Sequence, residues 1–252
     1  MLPGDCFNAL QNLRILNLSN NSLSQCPSLR GCPALETLIV SRNNLRQFDA
    51  SSLGLGDALK TLDISENSLS VEPNLSGCSS LLVLRMRMNL IPRLSLDFFP
   101  EIPRLETLHL DFNAFPDVSS IGSALMHTRR ISTLDARNSP FASRISAAGV
   151  QYRPVMIALV PSLDVLDGAP VTISERKMAS GIPLPQDVDP LRKHHFVGFL
   201  TRCAEICPIL GEEPQVAGMT VQKSFNMPPA MSYDVPPQSP AAGSMLAKQR
   251  TL

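Results

Sequence analysis

Six copies of an eleven-residue unit constrain this chain more strongly than any other feature of its sequence. The stretches LRILNLSNNSL at 13, LETLIVSRNNL at 35, LKTLDISENSL at 59, LLVLRMRMNLI at 81, LETLHLDFNAF at 105 and ISTLDARNSPF at 131 begin 22, 24, 22, 24 and 26 residues apart. Their first, fourth and sixth positions are apolar in every copy, from Leu13, Leu16 and Leu18 to Ile131, Leu134 and Ala136. Positions four and six alternate as in a strand, so they point to one side while positions three, five and seven point to the other. A unit this short cannot bury its apolar face alone, and stacked copies must share one continuous core.

The ninth position is Asn in five copies: Asn21, Asn43, Asn67, Asn89 and Asn113. A carboxamide both donates and accepts, so stacked copies can satisfy backbone groups left open where each coil leaves its strand. In the sixth copy Asn138 comes one position early and Ser139 fills the slot, so the ladder is expected to fail there. Ahead of each unit, apolar pairs lie six and three residues before the first Leu: Phe7 and Leu10, Leu29 and Cys32, Leu75 and Cys78, Phe99 and Ile102, Leu125 and Thr128. The third copy departs, with Leu53 and Gly56. Such pairs suit short helical or 3₁₀ segments packed on the convex side, and they make Cys32 and Cys78 small core residues. The period and pattern together are those of a leucine-rich repeat solenoid, an α/β fold with a curved parallel sheet on its concave face.

The repeat ends at VPSLDVLDG, residues 160–168. Leu163 and Leu166 keep the first and fourth positions, but Asp167 and Gly168 then supply a turn signal that cuts the strand short. A solenoid needs terminal caps, and VTISERKMAS provides Thr172 or Ser174 as a helix N-cap with acidic Glu175 in the first turn. The segment from Tyr152 to Ala179, through Tyr152, Arg153, Ile157, Pro161, Leu163, Leu166, Asp167, Glu175 and Arg176, resembles the C-terminal cap of the intracellular leucine-rich repeat family. That family includes the leucine-rich subunit of the U2 spliceosomal ribonucleoprotein, the axonemal dynein light chain, ciliary dynein-assembly factors and a nuclear phosphatase regulator. The resemblance implies an intracellular protein of the cytoplasm, cilium or cytoskeleton, with the nucleus as the alternative. It carries architecture and no activity.

At the N-terminal end no cap is recognisable before Phe7, so a partner or another segment of chain is expected to cover the first coil. The expected organisation is a repeat domain over 5–180 with its cap at 152–180, then a linker and amphipathic helix over 181–210, then a Pro-rich extended tail over 211–252. In the middle segment Phe196, Leu200, Cys203 and Cys207 are spaced four, three and four apart, one stripe of a helix that would dock on the array or on a partner. A metal site combining Cys203 and Cys207 with His194 or His195 is the weaker reading, because a second ligand pair at zinc spacing is lacking.

Function is expected on the concave face. Repeats four to six concentrate Arg85, Arg87, Met88, His109, Asp111, Phe112, Asp135 and Arg137 there, a composition suited to binding protein. The alternative is a solvated face on which Arg85 and Arg87 pair with Asp63, Asp111 and Asp135. Twenty-two basic and twenty-two acidic residues give no net charge, so direct contact with nucleic acid is not expected. No apolar stretch is long enough to cross a bilayer, and the scattered cysteines show no disulfide framework. Phosphate-binding loops, nucleophile elbows and metalloprotease motifs are missing. His109 with Asp111 reads as a surface pair with no nucleophile beside it. The chain is thus expected to be a non-catalytic scaffold without cofactor, resident metal or small-molecule substrate. Its partners are expected to be proteins of a larger assembly, ciliary or microtubule-associated first, a ribonucleoprotein or a phosphatase second.

Overall fold

The computed structural model describes residue 7 and residues 9–182. Each repeat contributes one three-residue strand: β1 Ile15–Asn17, β2 Thr37–Ile39, β3 Thr61–Asp63, β4 Val83–Arg85, β5 Thr107–His109 and β6 Thr133–Asp135. All pair in parallel and in register, so that Leu38, Leu62, Leu84, Leu108 and Leu134 stack as one fully buried column. Val40, Ile64, Met86, Leu110 and Ala136 form a second column two residues on. The in-register stacking follows from the sequence period, because a one-residue slip would turn both columns to solvent.

On the convex side the apolar pairs adopt consecutive tight turns. The N–H of Cys32 bonds to the carbonyl of Leu29 and that of Leu35 to Cys32, at 2.9 and 3.1 Å. The same two bonds recur at Leu75, Cys78 and Leu81 and at Phe99, Ile102 and Leu105. These are the three-residue closures expected of 3₁₀ geometry. Cys32 and Cys78 are buried, and burial pushes the Cys78 thiol up to about 11. The third repeat departs for a local reason: Asp49 caps a short helix, α1 (Ala50–Leu53), which ends at Gly54 with φ of 80° and delivers Leu55 to the core. Arg30 packs so closely there that an added Cβ would meet its side chain at 2.5 Å.

The asparagine ladder holds the coils at their exits from the sheet. In Asn67, Nδ2 donates to the carbonyls of Val40 and Ile64, both at 3.1 Å, while Oδ1 accepts from Leu45 N–H at 3.0 Å. Asn43, Asn89 and Asn113 repeat the arrangement. The expected failure at the sixth repeat is only partial. No carboxamide occupies the slot, but Ser139 is buried and its Oγ accepts from Asn113 N–H at 3.2 Å. Further along, Oδ1 of Asp167 accepts from the amides of Ala136 and Arg137 at 2.9 and 3.2 Å, so a carboxylate from the cap closes the last full coil.

Three longer helices, α2 (Ser119–Leu125), α3 (Pro140–Ala147) and α4 (Tyr152–Leu159), widen the coils toward the C-terminal end. Phe115, Phe141 and Tyr152 form an aromatic chain from the fifth repeat to the cap, with ring centroids 6.4 and 6.1 Å apart. A seventh strand, β7 (Val165–Leu166), continues the parallel sheet. Asp167 and Gly168, at φ of 54° and 76°, then reverse the chain into β8 (Ala169–Pro170), which pairs antiparallel. Two central residues with positive φ are the requirement of a two-residue type I′ hairpin, which Asp-Gly satisfies. Helix α5 (Ile173–Ser180) follows with Thr172, rather than Ser174, as N-cap; Thr172 Oγ1 accepts from Glu175 N–H and the Glu175 carboxylate accepts from Thr172 N–H. Arg153 bridges α4 to this cap by bonding to Glu175 and to the carbonyl of Leu166. The proposed tail elements, including Phe196, Leu200, Cys203 and Cys207, lie outside the described residues.

Candidate functional site

The concave sheet presents its residues in rows because equivalent positions of successive repeats are nearest neighbours. Along row five, Asp63 faces Arg85, Arg85 faces His109, and His109 faces Asp135. Row seven places Arg87, Asp111 and Arg137 beside them, two residues on in each repeat. Row seven alternates in sign from Arg87 to Asp111 to Arg137, whereas Arg85 stands between the acid Asp63 and His109 and beside the like-charged Arg87.

Two contacts link adjacent repeats on this face. His109 Nδ1 lies 2.6 Å from Asp135 Oδ2, and Arg87 Nε lies 3.5 Å from Asp111 Oδ2. The histidine is thus paired with Asp135 of the next repeat, not with Asp111 two residues along its own strand. The reason is geometric: facing residues on adjacent strands approach more closely than i and i+2 residues of one strand. Nor is the group a surface pair, since the Asp111 side chain is only 6% exposed. Burial raises its pKa, opposed chiefly by Arg87 and reinforced by Asp135. His109, Asp111 and Asp135 each offer a ligand-type atom, and these three atoms lie within 4.8 Å of one another. Asp135 Oδ1 is buried without a hydrogen-bond partner among the described residues.

Of the pairings a solvated face would make, Arg87 with Asp111 forms, while Arg85 and Arg137 have no ion pair among the described residues. Arg85 instead lies across from His109, and Arg137 projects at the exposed end of row seven.

Row eight lines the rim, and here the structure adds something the sequence had shown only faintly. Asn20, Arg42, Glu66, Met88, Phe112 and Asn138 all have φ between 51° and 58°, one left-handed residue per repeat. Asn enters that region readily, but Arg, Met and Phe do so at a cost of about 1 kcal/mol or more each. Asn20 and Asn138 were the only signal of it in the sequence. The turn throws the side chain outward: Met88 and Phe112 are each 44% exposed, and Leu90 beside them is 58% exposed. Leu90 is the residue of this rim that pattern reasoning missed, because it directly follows the ladder Asn89. Arg42 and Glu66 pair along the same rim at 3.1 Å.

The leucine rich repeat family model matches residues 1–45. Among solved structures, the chain is similar to a protein of the Drosophila melanogaster SNF/U2A′ complex at 20% identity and a TM-score of 0.49, over 72% of this chain and 91% of that one. It is also similar to the leucine-rich repeat domain of APL1B, again at 20% identity and a TM-score of 0.49, over 66% of this chain and 43% of that one. No curated protein matches the sequence. Among the described residues, no helix is long and apolar enough to cross a membrane.

Proposed function

We propose that this leucine-rich repeat protein is a non-catalytic scaffold subunit that binds another protein through the concave face and rim of its fourth to sixth repeats. The observation that carries the reading is the placement of Met88 and Phe112. Both are large, apolar and half exposed, and both stand at backbone positions where a bulky side chain is unfavourable. They adjoin Leu90 and the cations Arg87 and Arg137, so an apolar strip is rimmed by positive charge. Apolar anchors beside arginine are the residues that dominate protein interfaces, and array proteins use this surface to bind.

In this reading Asp111 and Asp135 form the floor that orients Arg87 and His109, while Arg85, Arg87, Met88, Phe112 and Arg137 make the contact. The partner surface would be apolar with acidic residues at its edge. As for the assembly, the cap's resemblance to ciliary and axonemal members favours a microtubule-based complex in the cytoplasm or cilium. Arg85 and Arg137, without an ion pair among the described residues, favour, as the second reading, a ribonucleoprotein subunit in the nucleus that meets an acidic surface of a protein there.

The test replaces Met88 and Phe112 together by Ala in the full chain and recovers partners by affinity purification from native cells. Loss of at least ten-fold in a specific partner, with an unchanged melting curve, is the expected result. Undiminished recovery of every partner would move the interface off this rim.

A further inference from the structure

We infer that His109, Asp111 and Asp135 bind one divalent transition-metal ion on the concave face. This inference shares the floor residues Asp111 and Asp135 with the protein-binding reading, but it does not rest on Met88 and Phe112, so either can fail without the other. One imidazole nitrogen and two carboxylate oxygens lie within 4.8 Å of one another, from two adjacent repeats held in register by β5 and β6.

Two observations show that the two carboxylates have acceptor capacity to spare. Asp135 uses Oδ2 on His109, while its Oδ1 is buried with no hydrogen-bond partner among the described residues. A buried carboxylate oxygen without a partner is costly, and native structures resolve it with a proton, a water or an ion. The Asp111 side chain is 94% removed from solvent, taking its 6% exposure, and its cationic neighbour Arg87 stands at 3.5 Å. That is longer than the 2.7–2.9 Å of a strong charge-assisted bond. Arg87 meets Asp111 at its Oδ2, and beside a bound ion it would be an outer partner that orients the ligand.

The donor set narrows the ion. Three protein ligands of nitrogen and oxygen type, with at least one position left for water, suit Zn²⁺ and its first-row neighbours. Calcium would need six to eight oxygens. Metal bonds of about 2.0–2.2 Å hold adjacent ligand atoms roughly 3.0–3.4 Å apart. His109 Nδ1 and Asp135 Oδ2, now 2.6 Å apart, would therefore open by about half an ångström or slightly more, and Asp111 would close in. The proton shared between imidazole and carboxylate leaves to solvent as the ion enters.

The experiment uses the full chain, stripped of metal with a chelator, and titrates it with Co²⁺ as a spectroscopic probe, then with Zn²⁺. Expected are uptake of one Co²⁺ showing weak visible bands without a thiolate charge-transfer band, displacement by Zn²⁺, and a melting temperature raised by Zn²⁺. His109→Gln and Asp135→Asn, each folded by circular dichroism, should each lose at least ten-fold in Co²⁺ affinity. His127→Gln should not, because His127 bonds Ser123 on α2 instead. Three results would overturn the inference: no uptake, a thiolate band that assigns the ion to cysteines, or unchanged affinity in His109→Gln. Should Asp135→Asn fail to fold, His109→Gln alone decides.

Discussion

Removing one rung of the asparagine ladder tests whether the coils are held together as the structure describes. In Asn89→Ala four hydrogen bonds vanish: Nδ2 to Ile64, Met86 and Arg87 carbonyls at 3.1, 3.2 and 3.3 Å, and Oδ1 from Leu69 N–H at 3.0 Å. The four are not equivalent. Ile64 keeps the donor from Asn67, and Met86 keeps the donor from Asn113, so neither carbonyl is orphaned. Arg87 O keeps Glu66 N–H. Only the Leu69 amide, in a fully buried residue, loses its partner. An unsatisfied buried donor costs about 1–3 kcal/mol, and the remaining weakened bonds add about 1 kcal/mol. The expected loss is about 3 kcal/mol, or roughly 6–12 °C in melting temperature at 2–4 °C per kcal/mol. Asn21→Ala provides the control: Asn21 is exposed and donates to Leu18 and Ser19 carbonyls without accepting from a buried amide. Its loss should stay within about 1 kcal/mol. Urea melts followed by circular dichroism read both variants. Equal midpoints for the two would refute the claim that the ladder works by satisfying buried amides.

Other outcomes follow from the cap. Gly168→Ala meets no atom within 4 Å, so its cost is that of a left-handed backbone alone, about 1–2 kcal/mol; a thermal melt unchanged from wild type would mean that the hairpin is not part of the folded unit. The Arg153 guanidinium, first of its causes, lowers Glu175 from 4.5 to about 2. A carboxyl depressed on folding contributes stability above its unfolded pKa and loses it as pH falls toward the folded value. Stability in the wild type should therefore drop between about pH 4.5 and 2, and Glu175→Gln should flatten that part of a pH series of urea melts. Asp111 and Asp167 are raised by burial and act with the opposite sign, so a wild-type curve as flat as the variant's would show that the Arg153 contact is not formed.

The repeat positions, the inward columns, the turn spacing and the stop at Asp167 and Gly168 were legible in the sequence because each is set by neighbours at fixed offsets, whereas the antiparallel β8 after that turn was not. Leu84 and Met86 could be placed from the pattern alone, and so could Asp167 and Gly168. What escaped depended on contacts between repeats, where offsets vary from 22 to 26 residues. The pairing of His109 with Asp135, the acceptor role of Ser139 and the capping of Ala136 by Asp167 are of this kind. The left-handed rim position was hidden for another reason: four of its six occupants are residues that ordinarily avoid that conformation.

The hairpin at Asp167 and Gly168 also bears on how such a molecule behaves at high concentration. A solenoid is self-similar, so its last parallel strand offers the same edge that its second strand offers to its first. Unmodified, those two ends would fit one another and add molecule upon molecule into an open filament. Here the final strand runs the wrong way and carries Pro170, which has no amide hydrogen to give. Two residues and a reversed strand thus leave an incoming copy without a matching edge, and head-to-tail polymerisation is closed off at its receiving end.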